Sequence, residues 1–285
     1  MKYEPKDYWE QRLAKDFSLS GVGYLGLGKT LNKWRYRAME RNVDWIFNKH
    51  ALNIRNKRIL DIGCGTGFWI DYYLRKGGKD ITGVDITEIA VDSLKKRYRN
   101  LKFYRADITK EIPVKDKFDI TFAFEVLHHI VNERDFDNAI ENIREMSKKD
   151  SYILISDNFL RKYRPPTKDT HSFSRTYDRY KKELEKNGIE IIDRAPIFYF
   201  LNQPEDINNN LIRKCFVLGW QVVMKIVKTF NLSTNIVGFL LYRLDAIILR
   251  FVKDSISSEV IVCRVKNEKN EKKINPNPFF ISSHC

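Results

Sequence analysis

Hydrophobic and polar positions change rhythm near residue 56. Before it, spacings of three and four prevail: Tyr8, Trp9, Leu13 and Phe17 fall on or near one face of a helix expected over residues 5–17. A glycine-rich segment, Gly21 to Gly28, breaks that helix, and a second is expected over about Leu31 to His50. After Asn56 short apolar runs alternate with amphipathic stretches. Strands are expected at Arg58–Ile62, Ile81–Ile86, Leu101–Arg105, Phe118–Phe124, Tyr152–Ser156, Ile189–Asp193 and Glu259–Val265. Helices are expected from a glycine turn through Leu74, then at Glu88–Arg99, Asp135–Ser147 and Ser174–Asn187, the last stopped by Gly188. This repeated order predicts an α/β fold with a doubly wound, mostly parallel sheet.

A long insertion separates the last two strands. In its first part Ile212, Phe216, Val223, Val227 and Phe230 recur at helical spacing, opposite Lys214, Gln221, Lys225 and Lys228. In its second part Val237, Leu240, Leu241, Leu244, Ile248 and Phe251 do so, with Arg243 and Arg250 elsewhere on the wheel. Two amphipathic helices follow. Their apolar faces either cap the α/β core and shape a pocket for a greasy substrate, or lie on an anionic membrane through residues 211–253; the cap is the preferred expectation. The polar, Lys-rich tail from Asn267 is expected to be loose.

Composition narrows the class. At 285 residues, 43% hydrophobic and 31% charged, the chain reads as globular. A net charge of +14 favours polyanionic partners, although the basic residues form no long run. Cys64, Cys215, Cys263 and Cys285 make no CxxC pair, which argues against structural zinc and a disulfide framework. The charged N-terminal segment lacks the apolar core of a secretion signal, and no uncharged apolar run reaches the ~20 residues of a membrane span. A cytoplasmic location, with peripheral membrane contact if the insertion serves that purpose, is the expectation.

The chemistry concentrates in Ile59-Leu60-Asp61-Ile62-Gly63-Cys64-Gly65-Thr66-Gly67. A strand feeds a tight glycine turn that opens a helix, and glycines let a ligand approach the main chain. A dinucleotide fingerprint G-x-G-x-x-G needs glycine at 68, where Phe68 stands; the pattern is G-x-G-x-G. Asp85 ends the second strand, where a carboxylate can accept both hydroxyls of a ribose. Asp107 ends the third, where it can receive the exocyclic amine of an adenine, and Glu125 follows the fourth. Any one of these acids alone could be a cap or a surface ion pair. In this order, at the carboxyl ends of successive strands, they read as one ligand cradle.

LDIGCGTG, GVDIT, ADIT and FDITFAFEVLHHI resemble the successive motifs of class I S-adenosylmethionine (SAM)-dependent methyltransferases. The resemblance is strong over residues 57–157 and weaker to 265. It implies a Rossmann-like seven-stranded sheet closed by an antiparallel pair of strands at 189 and 259, with S-adenosyl-L-methionine as cofactor. It implies that Asp61, Gly63, Gly65 and Gly67, with Cys64 among them, surround the methionine part; that Asp85 with Ile86 holds the ribose; and that Asp107 with Ile108 holds the adenine. Glu125 is implied near the methionine end. The division expected is an N-terminal helical lid (1–50), the SAM-binding domain (51–203), a helical insertion that covers the substrate (204–254), the last strand (255–266) and a tail (267–285).

Methyl transfer from a sulfonium is an in-line displacement, for which the protein supplies orientation, desolvation and a proton acceptor. His128 and His129 follow the fourth strand and Asp157 the fifth, so both strand ends face one crevice. A histidine oriented by a carboxylate is a suitable base at neutral pH, and this arrangement is similar to that of sugar and natural-product O-methyltransferases. The alternative is that one histidine only packs the following helix. His171, in the loop after the fifth strand, is a further base candidate. A metal site from these four residues matches no zinc signature. Gly23 to Thr30 spells the P-loop formula G-x-x-x-x-G-K-T, but no apolar strand precedes it, so a mobile lid with Tyr8, Trp9, Tyr24 and Trp34 as candidate lining is preferred. The favoured acceptor is a small-molecule, glycan or lipid-linked hydroxyl. An RNA methyltransferase, supported by net charge alone, is the runner-up, ahead of a P-loop nucleotide-binding protein; the oligomeric state is not legible.

Overall fold

In the computed structural model the described residues are 3–110, 112–166, 170–229, 234–252 and 254–267, excepting the side chains at 223 and 226–228. Val223, Val227, Lys228, Phe230 and the tail beyond Asn267 therefore lie outside the described residues or side chains. The order is α1 (Pro5–Lys15), α2 (Leu19–Val22), α3 (Gly28–Lys49), β1 (Arg58–Ile62), α4 (Phe68–Arg75), β2 (Asp80–Asp85), α5 (Glu88–Arg97), β3 (Lys102–Arg105), β4 (Phe118–Phe124), α6 (Glu133–Met146), β5 (Ser147–Asp157), α7 (Tyr177–Lys186), β6 (Ile189–Pro196), α8 (Asn210–Thr229), α9 (Thr234–Ile248) and β7 (Glu259–Val265).

The seven strands form one sheet in the order β3-β2-β1-β4-β5-β7-β6. The first five pair in parallel, and β7 runs antiparallel between β5 and β6. Side chains alternate across the sheet, as a period of two requires. Ile59, Phe122, Leu154 and Val262 pack on one face with residues of α3, α4 and α5. Leu60, Ala123, Ile153, Ile155 and Ile261 pack on the other with α6 and α7. With both faces covered, the strands read as near-continuous apolar runs.

Boundaries shift where a cap or a register decides them. The side chain of Asn132 accepts from the amides of Arg134 and Asp135 and starts α6 at Glu133, and Thr176 does the same for α7. β5 begins at Ser147 rather than Tyr152, because Ser147 pairs with Phe118 across an irregularity that absorbs the polar Lys148-Lys149-Asp150. The Gly23–Thr30 string runs from the end of α2 into the first turn of α3, with a 3-10 turn over Leu25–Leu27 and a helix rather than a strand feeding it. The phosphate-wrapping geometry of a P-loop is therefore absent there.

α3 is part of the main core: Met39, Val43, Ile46 and Phe47 join the cluster that contains Ile59 and Phe122. Only the segment before it is free to act as a cover. The sheet reverses its order between β1 and β4, so the crevice above their carboxyl ends is where such a fold takes ligands.

Candidate active site

A cavity of about 520 Å³ opens at those strand ends, a size that suits a small organic ligand. Its floor is the turn after β1. Gly63, Gly65 and Gly67 all have positive φ, at +71°, +48° and +81°. A Cβ on Gly63 would lie 2.4 Å from Val126 Cγ2, so close packing as well as backbone angle demands glycine there. Gly63, Cys64, Gly65 and Thr66 line the cavity. Gly67 does not; its missing side chain admits Leu94 of α5, 2.6 Å from where a Cβ would be. Asp61 is also off the wall. It is buried and accepts a hydrogen bond from the Tyr73 hydroxyl at 3.3 Å, and burial pushes its carboxyl up to about 8.

Asp85, Ile86, Asp107 and Ile108 line one side. The Asp85 carboxylate is already held: Oδ2 accepts the Gly65 amide at 2.8 Å, and Oδ1 accepts the Thr87 amide at 2.9 Å and its hydroxyl at 2.7 Å. A carboxylate has about four acceptor directions. One remains, so Asp85 can take one ribose hydroxyl unaided rather than the two expected from its position alone. Asp107 receives the Thr109 amide and hydroxyl on Oδ1, at 3.0 and 2.8 Å, while Oδ2 lies 3.4 Å from Lys110 Nζ and keeps a further acceptor direction for an amine.

Glu125 lines the cavity as well. It sits at φ +59°, held by its amide donating to the Ser156 carbonyl at 3.1 Å. Its Oε2 is 2.6 Å from Nη2 of Arg35, a buried guanidinium on α3. Sequence reasoning missed Arg35, yet the signal was present: an arginine in register with Leu31, Ala38 and Met39 on the inner face of a helix needs a buried acid.

The histidines separate. His129 lines the cavity; His128, Asp157 and His171 do not. His129 Nδ1 is 2.9 Å from the His171 carbonyl, which can only accept, so Nδ1 carries the proton and Nε2 keeps the lone pair. Burial, then the neighbouring His128, hold His129 well below the usual histidine range. His128 Nδ1 lies 3.1 Å from Asp157 Oδ1, off the line an N–H donor needs. Burial opposes its imidazolium, but the carboxylates of Asp157, Glu125 and Glu205 together outweigh burial and raise it. The Tyr180 hydroxyl and the Asn158 amide fix Asp157 in turn. Burial, then Arg12, lower His171, whose ring stacks on Tyr8 at 4.9 Å. Among the described residues no group of three or more His, Cys, Asp or Glu is arranged to hold a metal ion.

α1 closes the cavity with Trp9 and Leu13, preceded by Tyr3 and Glu4. Of the four aromatics expected to line it, only Trp9 does; Tyr24 bonds Gln203 and Trp34 packs on Phe239 and Tyr242. One carboxylate latches this cover. Glu10 accepts the free amides of Glu88 at 2.8 Å and Ile89 at 3.0 Å, at the N-terminus of α5 beside Ile86. Loss of such a cap costs ~0.5–2 kcal/mol. Glu10→Ala should therefore release a bound cofactor product roughly two- to thirtyfold faster, read by stopped-flow fluorescence of Trp9; an unchanged rate would remove the latch.

Residues 59–150 match a family model described as a methyltransferase domain. The ubiquinone biosynthesis O-methyltransferase of Nitrobacter winogradskyi is 25% identical over 170 residues, 53% of this chain and 64% of that protein. The tRNA U34 carboxymethyltransferase of Nautilia profundicola is 31% identical over 121 residues, 36% of this chain and 39% of its own. The solved magnesium protoporphyrin IX methyltransferase of Synechocystis superposes with a TM-score of 0.55 at 14% identity, over 91% of this chain and 94% of that one. The fold is thus that of Rossmann-like methyltransferases. More narrowly, residues 59–150, which hold the glycine turn, Asp85, Asp107 and Glu125, form a methyltransferase domain.

Proposed function

We propose that the protein transfers a methyl group from S-adenosyl-L-methionine to a hydroxyl of a small-molecule, glycan or lipid-linked acceptor, with His129 as the proton acceptor. The observation that carries this reading is one cavity wall holding the glycine turn, Asp85, Asp107 and the ring of His129. The residues fit the cofactor: a floor without side chains, an oriented carboxylate with an acceptor direction to spare, and apolar Ile86 and Ile108 for a flat base.

When bound, S-adenosyl-L-methionine supplies an activated methyl group. The chain supplies the rest. Asp85, preorganised by Gly65 and Thr87, orients the ribose, and Asp107 receives the amine of the base. Arg35 fixes Glu125 beside the glycine turn. Trp9 and Leu13 exclude water. His129, neutral at pH 7 with its tautomer set by the His171 carbonyl, removes the acceptor's hydroxyl proton. The Nitrobacter relative is named for an O-methyl transfer and the Nautilia one for a transfer to tRNA, so the shared domain does not select the acceptor. A lipid-linked acceptor suits a protein with an exposed apolar hairpin at 211–253.

The test is methyl-labelled SAM with the purified protein against small-molecule, lipid, glycan and RNA fractions. Label is expected in the small-molecule, lipid or glycan fraction, in a form that base does not release as methanol. Label confined to RNA, or released by base as from an ester, would overturn the reading.

A further inference from the structure

The helical hairpin between β6 and β7 is attached by one face and bare on the other. Its inner face is well anchored. Asp245 of α9 accepts the amides of Tyr199, Phe200 and Leu201 at 3.3, 2.7 and 3.3 Å, and the Trp220 ring N–H of α8 donates to the Phe200 carbonyl at 3.2 Å. Gly238 meets Trp34 of α3 so closely that a Cβ would lie 2.1 Å from the ring. In this respect the hairpin does cap the core.

The outer face contradicts the expectation that the apolar positions are spent on that cap. Ile212 and Phe216, assigned to it, are exposed, and so are Leu240, Leu244 and Phe251. On α9 and the turn after it, Ile236, Leu240, Leu244, Ile247 and Phe251 recur at spacings of three and four and form one exposed stripe. On α8, Leu211, Leu218 and Val222 form another. Leu211 is 71% exposed and Phe251 81%. Scattered exposed apolar side chains are ordinary, but two aligned stripes on adjoining helices are not.

Charge decides the occupant. Between residues 210 and 250 the charged residues are Arg213, Lys214, Lys225, Lys228, Arg243, Arg250 and Asp245. The single acid is buried against the Tyr199–Leu201 amides. Lys214, Lys225, Arg243 and Arg250 are exposed beside the apolar stripes. A second copy docked face to face would set these cations against their like. A surface that is both oily and negative satisfies both features. Among the described residues no helix is long and apolar enough to cross a membrane, so the contact is with the surface.

We propose that the outer faces of α8 and α9 dock the protein onto an anionic lipid bilayer. Lipid then contacts the hairpin that packs on α3 and the Tyr199–Leu201 segment. This deepens the lipid-linked acceptor of the proposed function, yet it is tested without turnover.

The experiment is co-sedimentation of the full chain with phosphatidylglycerol/phosphatidylcholine vesicles and with pure phosphatidylcholine vesicles. Binding to the anionic vesicles that weakens with salt is expected, with little binding to the neutral ones. Arg243→Glu with Arg250→Glu should lower partitioning at least about 25-fold, at roughly fivefold per cation. Leu240→Glu with Leu244→Glu should abolish it, while heat of S-adenosylhomocysteine binding stays at the wild-type value and reports an intact fold. No binding to anionic vesicles at low salt overturns the proposal. So does a lipid-free dimer that Leu240→Glu dissociates, since the face would then belong to a second copy. Loss of cofactor binding in the wild type would sink the methyltransferase reading and leave the vesicle result standing.

Discussion

Asp85→Ala should weaken binding of SAM and of S-adenosylhomocysteine at least about 100-fold by isothermal titration calorimetry. Two losses add. A hydrogen bond from a ribose hydroxyl to a charged acceptor is worth ~1.5–3 kcal/mol. The same carboxylate also holds the floor of the cavity, because its Oδ2 anchors the Gly65 amide and its Oδ1 the Thr87 amide and hydroxyl. Without it the turn at Gly65, whose φ is +48°, loses its only side-chain tether among the described hydrogen bonds. Thr87→Val separates the two parts: it removes one donor to Asp85 but leaves the carboxylate, so a loss below about tenfold is expected, in line with one hydrogen bond of ~0.5–1.5 kcal/mol. An Asp85→Ala affinity within threefold of wild type would remove both the ribose contact and the tether of the cavity floor from the account.

What could be read from the chain follows from the range of the forces involved. The glycine turn and the acids at the strand ends were legible because backbone angle and strand alternation are local, and because ligands of an open α/β sheet gather at the carboxyl ends. Their detailed division was not. Gly67 looks like its neighbours in sequence, but it faces Leu94 of a helix that follows the next strand. Asp61 has the residue type of a ligand and the position of a buried acid under Tyr73. Arg35 and Glu125 are 90 residues apart, and nothing short-range ties them. The start of β5 was hidden because polar Lys148 and Lys149 carry no strand signature, while pairing to β4 recruits them. The hairpin's two helices are legible from their spacing. Its buried side was misjudged, since α9 is apolar on both faces and a wheel of residue types cannot tell which one meets α3.

His129→Ala should lower kcat about 10²- to 10⁴-fold, the range of a positioned general base, with the cofactor affinity changed far less. The ring also packs against Trp9, at 4.8 Å between centroids. His129→Gln, which keeps bulk without a titrating base, must therefore lose turnover too; recovery with Gln would reduce the residue to packing. The pH profile carries the sign. A base works when neutral, and burial with the nearby His128 depresses the His129 pKa. Activity should thus persist as pH falls through the ordinary histidine range near 6.5, and decline only below it. Removing His128 takes away a neighbour whose charge Asp157 favours, so in His128→Ala the pKa of His129 rises and the acid limb of kcat moves to higher pH. His128→Ala is expected to keep most of its turnover at pH 8, because His128 is off the cavity wall. A collapse of kcat at pH 8 in His128→Ala, with His129→Gln unaffected, would transfer the base to the histidine that Asp157 holds.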